Sequence, residues 1–261
     1  LGSVWHGRTR PPELEGEATH RAIQLAVVAG APLYIVHLSS LNALKEVSRA
    51  RDEGRNVFAE TCPQYLYLTL EEHLDQPGID GLRHICSPPL RSLEEKHQDS
   101  LWMGLRTDDL SVVATDHCPF CDAEKLLGVE DFRDTPNGLG VIEHRMDLLF
   151  QGVLTGEITL QRWVELCSTT PARLFGLQGR KGIIAPGADA DIVIFDPKAE
   201  HVLGASTHHM SIDYSVWEGI KVQGQSESVI SRGSFVIRDR NFVGKPGHGE
   251  FLKRSLPEPL R

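Results

Sequence analysis

The sequence predicts an α/β fold, and three observations carry that reading. Apolar runs rich in β-branched residues alternate with amphipathic helical segments over the first two thirds of the chain. Gly and Pro punctuate nearly every junction. Near Lys181 the helical segments stop and short alternating strands take over. Strands alternating with helices imply a parallel sheet covered by helices.

The elements follow in order. Apolar residues recur at helical spacing from Glu17 to Ala29, and Gly30 stops that helix. "APLYIVHLSS" is an apolar run of the kind buried in parallel sheets. "LNALKEVSRARDEG" is again an amphipathic helix with a Gly stop, and "NVFAETCPQYLYLT" is a strand entering a loop. A helix through "EKHQDSLWMGLRT" precedes a third strand, "LSVVATDH". After a long loop, "GVIEHRMDLLFQGVLTG" and "LQRWVELCSTTPARLFGL" read as two further helices. Three strand–helix units are too few to close an eight-stranded barrel, which takes about 250 residues. From roughly residue 180, "KGIIAPGADADIVIFDPKAEHVLGAS" and "GIKVQGQSESVISRGSFVIRDRNFV" predict a β-sandwich-like module.

Bulk properties narrow the function. The chain has 261 residues, 40% of them hydrophobic and 24% charged, with a formal net charge of −9. That balance argues against a general binder of nucleic acid or anionic membranes, which shows a basic face. No apolar segment approaches the roughly 18 residues a membrane span needs. Five cysteines without a dense framework or a signal peptide point to a reducing cytoplasm. The first residues, "LGSVWHGRTRPPELEGEATH", hold no methionine and no hydrophobic element before the first helix. A processed terminus, a trimmed chain and a missing front half are all consistent with that opening.

In parallel α/β folds chemistry gathers at the carboxyl ends of the strands. Here those ends carry His37 (followed by Ser39 and Ser40), Glu60, and Asp116 with His117. An imidazole and a carboxylate on one rim can share a metal, or act as a base and its orienter. Equally, His37 can be a hydrogen-bonded loop residue, Glu60 can bond within its loop, and Asp116 can cap a helix. Cys118 and Cys121 form a C-x-x-C, but no second ligand pair accompanies it, as structural zinc requires. Cys62, Cys86 and Cys167 read as packing residues. "CSPPLR" and "TPNGLG" are rigid loops able to aim main-chain groups at a ligand, or simply turns.

Taken together, "RPPELEGEATHRAIQLA", "YIVHLSS", "AETCPQYL", "CSPPLR", "TDHCPF", "DFRDTPNG", "KGIIAPGADADIVIFDP", "THHMSIDY", "WEGIKVQG" and "GKPGHGEFLKR" resemble the C-terminal part of the dihydropyrimidinase and D-hydantoinase family of cyclic amidohydrolases. The resemblance implies the end of a metal-dependent (β/α)8 TIM barrel, residues 1–179 supplying the last three strand–helix units. Residues 180–261 would be the C-terminal share of a small β-sandwich plus a tail. It also implies hydrolysis of the cyclic amide C–N bond of dihydropyrimidines or 5-substituted hydantoins by a hydroxide bridging two divalent ions, zinc in the first instance. His37 would bind one metal. Asp116 would bind the other and act as the catalytic proton shuttle. Ser87 and Asn137 would hold the ring through main-chain groups, and Cys118 and Cys121 would be bystanders.

The same resemblance exposes a gap. The family's H-x-H, bridging carboxylated lysine and fifth-strand histidine have no counterpart among the twelve histidines and the lysines of this chain. The expectation is therefore a fragment, inactive and poorly stable alone, whose parent is a homotetramer acting on small cyclic imides or ureides. Dihydroorotases tend to carry Asn, and allantoinases Ala, where Ser87 precedes Pro-Pro, which favours the hydantoinase branch. Non-catalytic scaffold relatives, which lose metal ligands, and a stand-alone binding domain are the competing classes.

Overall fold

The computed structural model describes residues 1–256 and divides the chain into two compact units. The first comprises Leu1–Arg145 with Val202–Ile220, and the second comprises Met146–His201 with the chain from Lys221 onward. Residue 180, the expected change of texture, falls inside the second unit, between its last helix and its first strand.

The first unit begins with α1 (Val4–Arg8) and α2 (Pro12–Ala29). The start of α2 lies five residues upstream of the periodicity-based estimate, because Pro12 sits where the first helical N–H has no partner to lose. Glu13 and Glu15 follow in the first turn, and Gly30 ends the helix at φ 62°. β1 (Leu33–Ile35), α3 (Leu41–Asp52) and β2 (Val57–Thr61) come next. The segment after β2 is helical rather than a loop: Pro63 opens α4 (Pro63–Tyr67), and α5 (Gly78–Leu82) and α6 (His97–Thr107) follow. β3 is only Val112–Val113, far shorter than the apolar run suggested, and α7 (Asp122–Lys125) lies in the loop beyond it.

The three strands form one parallel sheet in the order β1-β2-β3. Leu33 pairs with Val57 and Ile35 with Ala59, while Glu60 pairs with Val112 and Thr61 with Val113. Because all three run the same way, their carboxyl ends emerge on one rim. Behind the sheet, α3 buries Ala43, Leu44, Val47 and Ala50. Gly16 of α2 lies so close to Asn42 of α3 that an added Cβ would sit 3.0 Å from the Asn42 Cβ.

The second unit holds α8 (Arg145–Leu154), α9 (Leu160–Val164) and α10 (Thr170–Leu174), the last two joined by a wide π-type turn. Its sheet orders β4 (Ile192–Val202), β5 (Lys221–Ser231), β6 (Ser234–Arg238) and β7 (Asn241–Phe242) consecutively. Two-residue loops at Arg232-Gly233 and Asp239-Arg240, all four with positive φ, give the tight turns that antiparallel hairpins favour. Phe150, Trp163 and Phe195 form its aromatic cluster, with ring centroids 4.8–5.4 Å apart. Among the described residues no helix is long and apolar enough to cross a membrane.

The packing of α3 gives a stability expectation. Leu44→Ala should cost about 2–5 kcal/mol. Ser40→Ala, which removes the oxygen accepting the Ala43 N–H at 3.2 Å, should cost about 1 kcal/mol. Urea denaturation of the two variants checks the ranking, and equal losses would mean that α3 is not docked as described.

Candidate functional site

The sheet brings three of the sequence-predicted groups to its carboxyl rim. His37 follows β1 by two residues, Glu60 lies at the end of β2, and Asp116 follows β3 by three. β2 lies between the other two strands, so His37 and Asp116 follow strands on either side of the one that ends in Glu60. Both His37 (φ 42°) and Asp116 (φ 50°) adopt the left-handed backbone region, which costs a non-glycine residue on the order of 1–2 kcal/mol. Strain of that kind persists only where the surroundings over-determine it.

Here they do. The Leu38 N–H donates to the Glu60 carbonyl at 2.8 Å, and Thr61 Oγ1 donates to the Leu38 carbonyl at 2.8 Å. Glu60 accepts the Tyr34 hydroxyl at 2.6 Å and the His37 main-chain N–H, so its carboxylate holds the turn that carries His37. Burial raises the Glu60 carboxyl above its ordinary range, against the lowering effect of those two hydrogen bonds. On the other side, Gln64 Nε2 donates to the Thr115 carbonyl at 3.2 Å, and Arg145 Nη1 donates to the Val113 carbonyl at 2.8 Å. The serines after His37 are structural: Ser40 caps α3, and Ser39 donates to Glu15 through both its N–H and its hydroxyl.

The other two sequence-predicted residues meet each other. Ser87 Oγ donates to Asn137 Oδ1 at 3.2 Å, both residues being exposed and Ser87 preceding a cis proline. Among the described residues, no hydrogen bond engages the main chain of Ser87 or Asn137. The loops carrying them are stitched together by the Gly138 N–H, which donates to the Ile85 carbonyl at 3.0 Å. A third stitch joins the Asp116 loop to the same edge. The Cys118 N–H donates to the Leu139 carbonyl at 3.0 Å, and a Cβ at Gly138 would lie 2.4 Å from the Cys118 carbonyl oxygen. His117 Nδ1 accepts the Val141 N–H at 3.1 Å, which makes it a loop anchor.

Three supports escape sequence reasoning. Arg91 (6% exposed) and Glu15 (14%) form a buried ion pair at 2.8 Å. Arg91 Nε also donates to Ser39 Oγ, and Nη1 donates to the Arg10 carbonyl. Both lie within motifs the sequence singled out, "RPPELEGEA" and "CSPPLR", and that was the available signal. His6, 1% exposed, donates through Nε2 to the Cys86 carbonyl at 2.7 Å. Lys125, with no exposed surface, has no sequence signal, since a lone lysine in a polar loop reads as solvated. Cys62 and Cys86 are buried and Cys167 is half-buried, whereas Cys118 is exposed, and no disulfide joins any of the five among the described residues.

The family model described as "Amidohydrolase family" matches residues 17–236. The chain belongs to the amidohydrolase family. It is 55% identical to a D-hydantoinase of Streptomyces coelicolor over 98% of its own length and 54% of the relative's. It is 50% identical to a D-hydantoinase of Geobacillus stearothermophilus, covering 97% of this chain and 53% of that one. A solved dihydropyrimidinase from Brevibacillus agri superposes with a TM-score of 0.97 at 46% identity, covering all of this chain and 56% of the other. This amidohydrolase chain thus spans about half the length of the curated relatives it matches.

Members of this family are generally dependent on divalent metals, so the donors of the rim were weighed for that role. His37 Nδ1 is buried with no hydrogen-bond partner among the described residues, and Asp116 is an exposed carboxylate. An imidazole and a carboxylate suit a divalent ion of the zinc type. Among the described residues, however, no group of three or more His, Cys, Asp or Glu side chains is arranged to hold a metal. The residues fit part of a donor set.

His6 makes the site's support sensitive to acid. Burial lowers its pKa from the ordinary 6.5 to about 4, although the bond to Cys86 works the other way. Between those values the unfolded chain binds the proton and the folded chain does not, so stability falls as pH drops through that window. The contribution is about 3 kcal/mol, lost between roughly pH 6.5 and pH 4. Urea melts across that range should show a His6→Gln variant with a flatter acid limb, and parallel limbs would contradict the assignment.

Proposed function

We propose that the chain carries part of the active site of a hydrolase that opens the cyclic amide C–N bond of dihydropyrimidines or 5-substituted hydantoins. In this reading residues 1–179 are the last three strand–helix units of a (β/α)8 barrel, and residues 180–261 are the C-terminal share of a small β-sandwich with its tail. What supports it most is the pairing of one imidazole and one carboxylate at the carboxyl rim, each held in a strained turn by its own hydrogen bonds. The identity to D-hydantoinases along nearly the whole chain supports the choice of substrate.

His37 and Asp116 are the residues that would hold two divalent ions, zinc in our reading. When bound, such ions make water nucleophilic at neutral pH and polarise a carbonyl oxygen. Asp116 accepts the proton of the attacking water and passes it to the ring nitrogen as the C–N bond breaks. Ser87 and Asn137 hold the ring through their main-chain N–H and C=O groups, which no other described residue engages. Their side chains bond to each other, so the loop edge is set before the ring arrives. Two donors cannot hold a binuclear centre, and in this reading the remaining ligands, the H-x-H, the bridging lysine and the fifth-strand histidine, belong to the rest of the parent enzyme. The parent is a cytoplasmic homotetramer in this reading, in which the C-terminal segment with its exposed Phe251 would pack on a neighbouring subunit.

The test compares the metal-loaded parent with the isolated 261-residue chain on hydantoin, dihydrouracil, allantoin and dihydroorotate. The parent should hydrolyse hydantoin or dihydrouracil, bind about two ions per subunit, and lose at least about 10³-fold in kcat/KM on Asp116→Asn. The isolated chain should hydrolyse none of the four. Turnover of dihydroorotate or allantoin alone would move the assignment to a sister activity. A metal-free, inactive parent would make it a scaffold, and activity of the isolated chain would refute its incompleteness.

A further inference from the structure

Lys125 has no accessible surface, yet among the described residues no carboxylate pairs with it. Lysine is among the residues least often buried, because removing an ammonium from water without a counter-charge is costly. Its Nζ instead donates to three carbonyl oxygens: Ile85 at 2.9 Å, Pro136 at 2.9 Å and Gly138 at 2.8 Å. Three acceptors match the three hydrogens of an ammonium group. The Phe120 ring covers the same nitrogen at 5.6 Å.

The choice of acceptors is what matters. Pro136 and Gly138 bracket Asn137: the lysine bond to the Pro136 carbonyl holds the peptide plane before it, the Gly138 N–H bond to Ile85 holds the plane after it, and among the described residues the Asn137 carbonyl is left unengaged. Ile85 lies two residues before Ser87, and its carbonyl also accepts the Gly138 N–H. One cation therefore joins the two loops at the residues flanking those assigned to the ring. A lysine serving only to fill space would be replaced by an apolar side chain with little change in loop geometry. Here such a replacement strips three converging carbonyls of their shared donor and leaves their dipoles opposed.

We propose that Lys125 is a positioning residue, whose ammonium fixes the main chain of the Ile85–Pro88 and Pro136–Gly138 loops as a single ring-binding edge. The inference rests on the functional reading above, since it takes Ser87 and Asn137 to be the groups that face the ring. It assigns Lys125 no contact with substrate. The residue sets where the main-chain donors and acceptors stand, so its loss falls on ring binding and orientation.

Lys125→Met in the metal-loaded parent enzyme tests this by steady-state kinetics, metal content and amide hydrogen exchange. KM for hydantoin or dihydrouracil should rise at least tenfold, with kcat changed less than threefold and metal content unchanged. Exchange in segments 85–90 and 135–141 should accelerate together at least tenfold, with the β1, β2 and β3 segments as in the wild type. Wild-type exchange in both segments, or acceleration in one alone, overturns the proposal, as does a loss of kcat accompanied by loss of metal. If the wild-type parent turns over no cyclic amide, the functional reading fails, and the exchange data still judge the lysine.

Should the Met variant not fold, the wild-type enzyme supplies the second arm. Burial lowers the Lys125 pKa to about 8, and deprotonation removes one of its three hydrogens. The titratable groups facing it are Cys86, Cys118, Glu124, His6 and His84. His6 and His84 lie at about 4 and Cys86 at about 12, so a Cys118→Ser background isolates the lysine between pH 7 and pH 9.5. Exchange in the two segments, corrected for intrinsic rates, should accelerate together across that range. Unchanged corrected rates overturn the proposal.

Discussion

The site depends on the parallel register of three short strands. Parallel pairing forces the carboxyl ends of β1, β2 and β3 to one rim, and the pairs Ile35–Ala59 and Thr61–Val113 set how far each chain climbs before it turns. A slip of one residue would flip the side chains of its strand to the other face and shift the turn that carries His37 or Asp116. Two interactions hold the register at its most exposed point, the bond from the Leu38 N–H to the Glu60 carbonyl and the bond from Thr61 Oγ1 to the Leu38 carbonyl. They clamp the turn immediately after His37, where the backbone is strained. Because β3 has only two residues, its ladder alone is a weak anchor for Asp116. Gln64, Arg145 and the Cys118–Leu139 bond complete the hold from outside the sheet.

Behind this rim the interior is polar where an apolar core would be cheaper. Arg91, Glu15 and Ser39 form a closed network, and His6 and Lys125 each satisfy loop carbonyls. Buried ion pairs are weak contributors to net stability, because desolvation offsets most of their attraction. Their strength lies in direction. Irregular loops leave N–H and C=O groups pointing inward, and each needs a partner with matching geometry. An apolar side chain can fill the same volume but cannot tell one loop conformation from another. The polar supports therefore concentrate under the loops of Ser87 and Asn137 and under the turn of His37, and are sparse beneath α3, where the helix satisfies its own main chain.

Much of the fold was legible in the sequence, and the limits have physical causes. Helical periodicity with Gly stops located α2 and α3, because an amphipathic helix writes its burial into the spacing of its residues. The parallel arrangement followed from alternation of strand and helix. The length of β3 did not, since "LSVVATD" is apolar whether its residues pair in a ladder or pack as extended coil. The helix at Pro63–Tyr67 was read as loop because a proline after a strand looks like a terminator, although it is equally a helix opener. At the site, strand ends singled out His37 and Asp116 without deciding between a ligand and a structural role, and Ser87 and Asn137 came only from the family resemblance. Lys125 and His6 were invisible, because their partners are main-chain carbonyls, 11 to 40 residues away for the lysine and 80 for the histidine. Main-chain partners leave no trace in side-chain identity.

That last asymmetry bears on how the chain divides its labour. The two groups suited to proton transfer and metal binding are side chains, and each is placed by a strained turn of its own. The groups suited to holding a planar ring are main-chain N–H and C=O, and they are placed by side chains that lie elsewhere. In the proposed reading, main-chain recognition would read the amide edge common to hydantoins and dihydropyrimidines and be blind to the ring substituent. It also demands more rigidity than side-chain recognition, because a peptide group cannot reorient without moving its neighbours. A buried cation that bonds the carbonyls on both sides of Asn137 supplies that rigidity directly. A loop held only by its own turn would have to be ordered by the ligand, at a cost to binding. The loops that carry Ser87 and Asn137 are therefore where this chain can least tolerate the loss of a polar group.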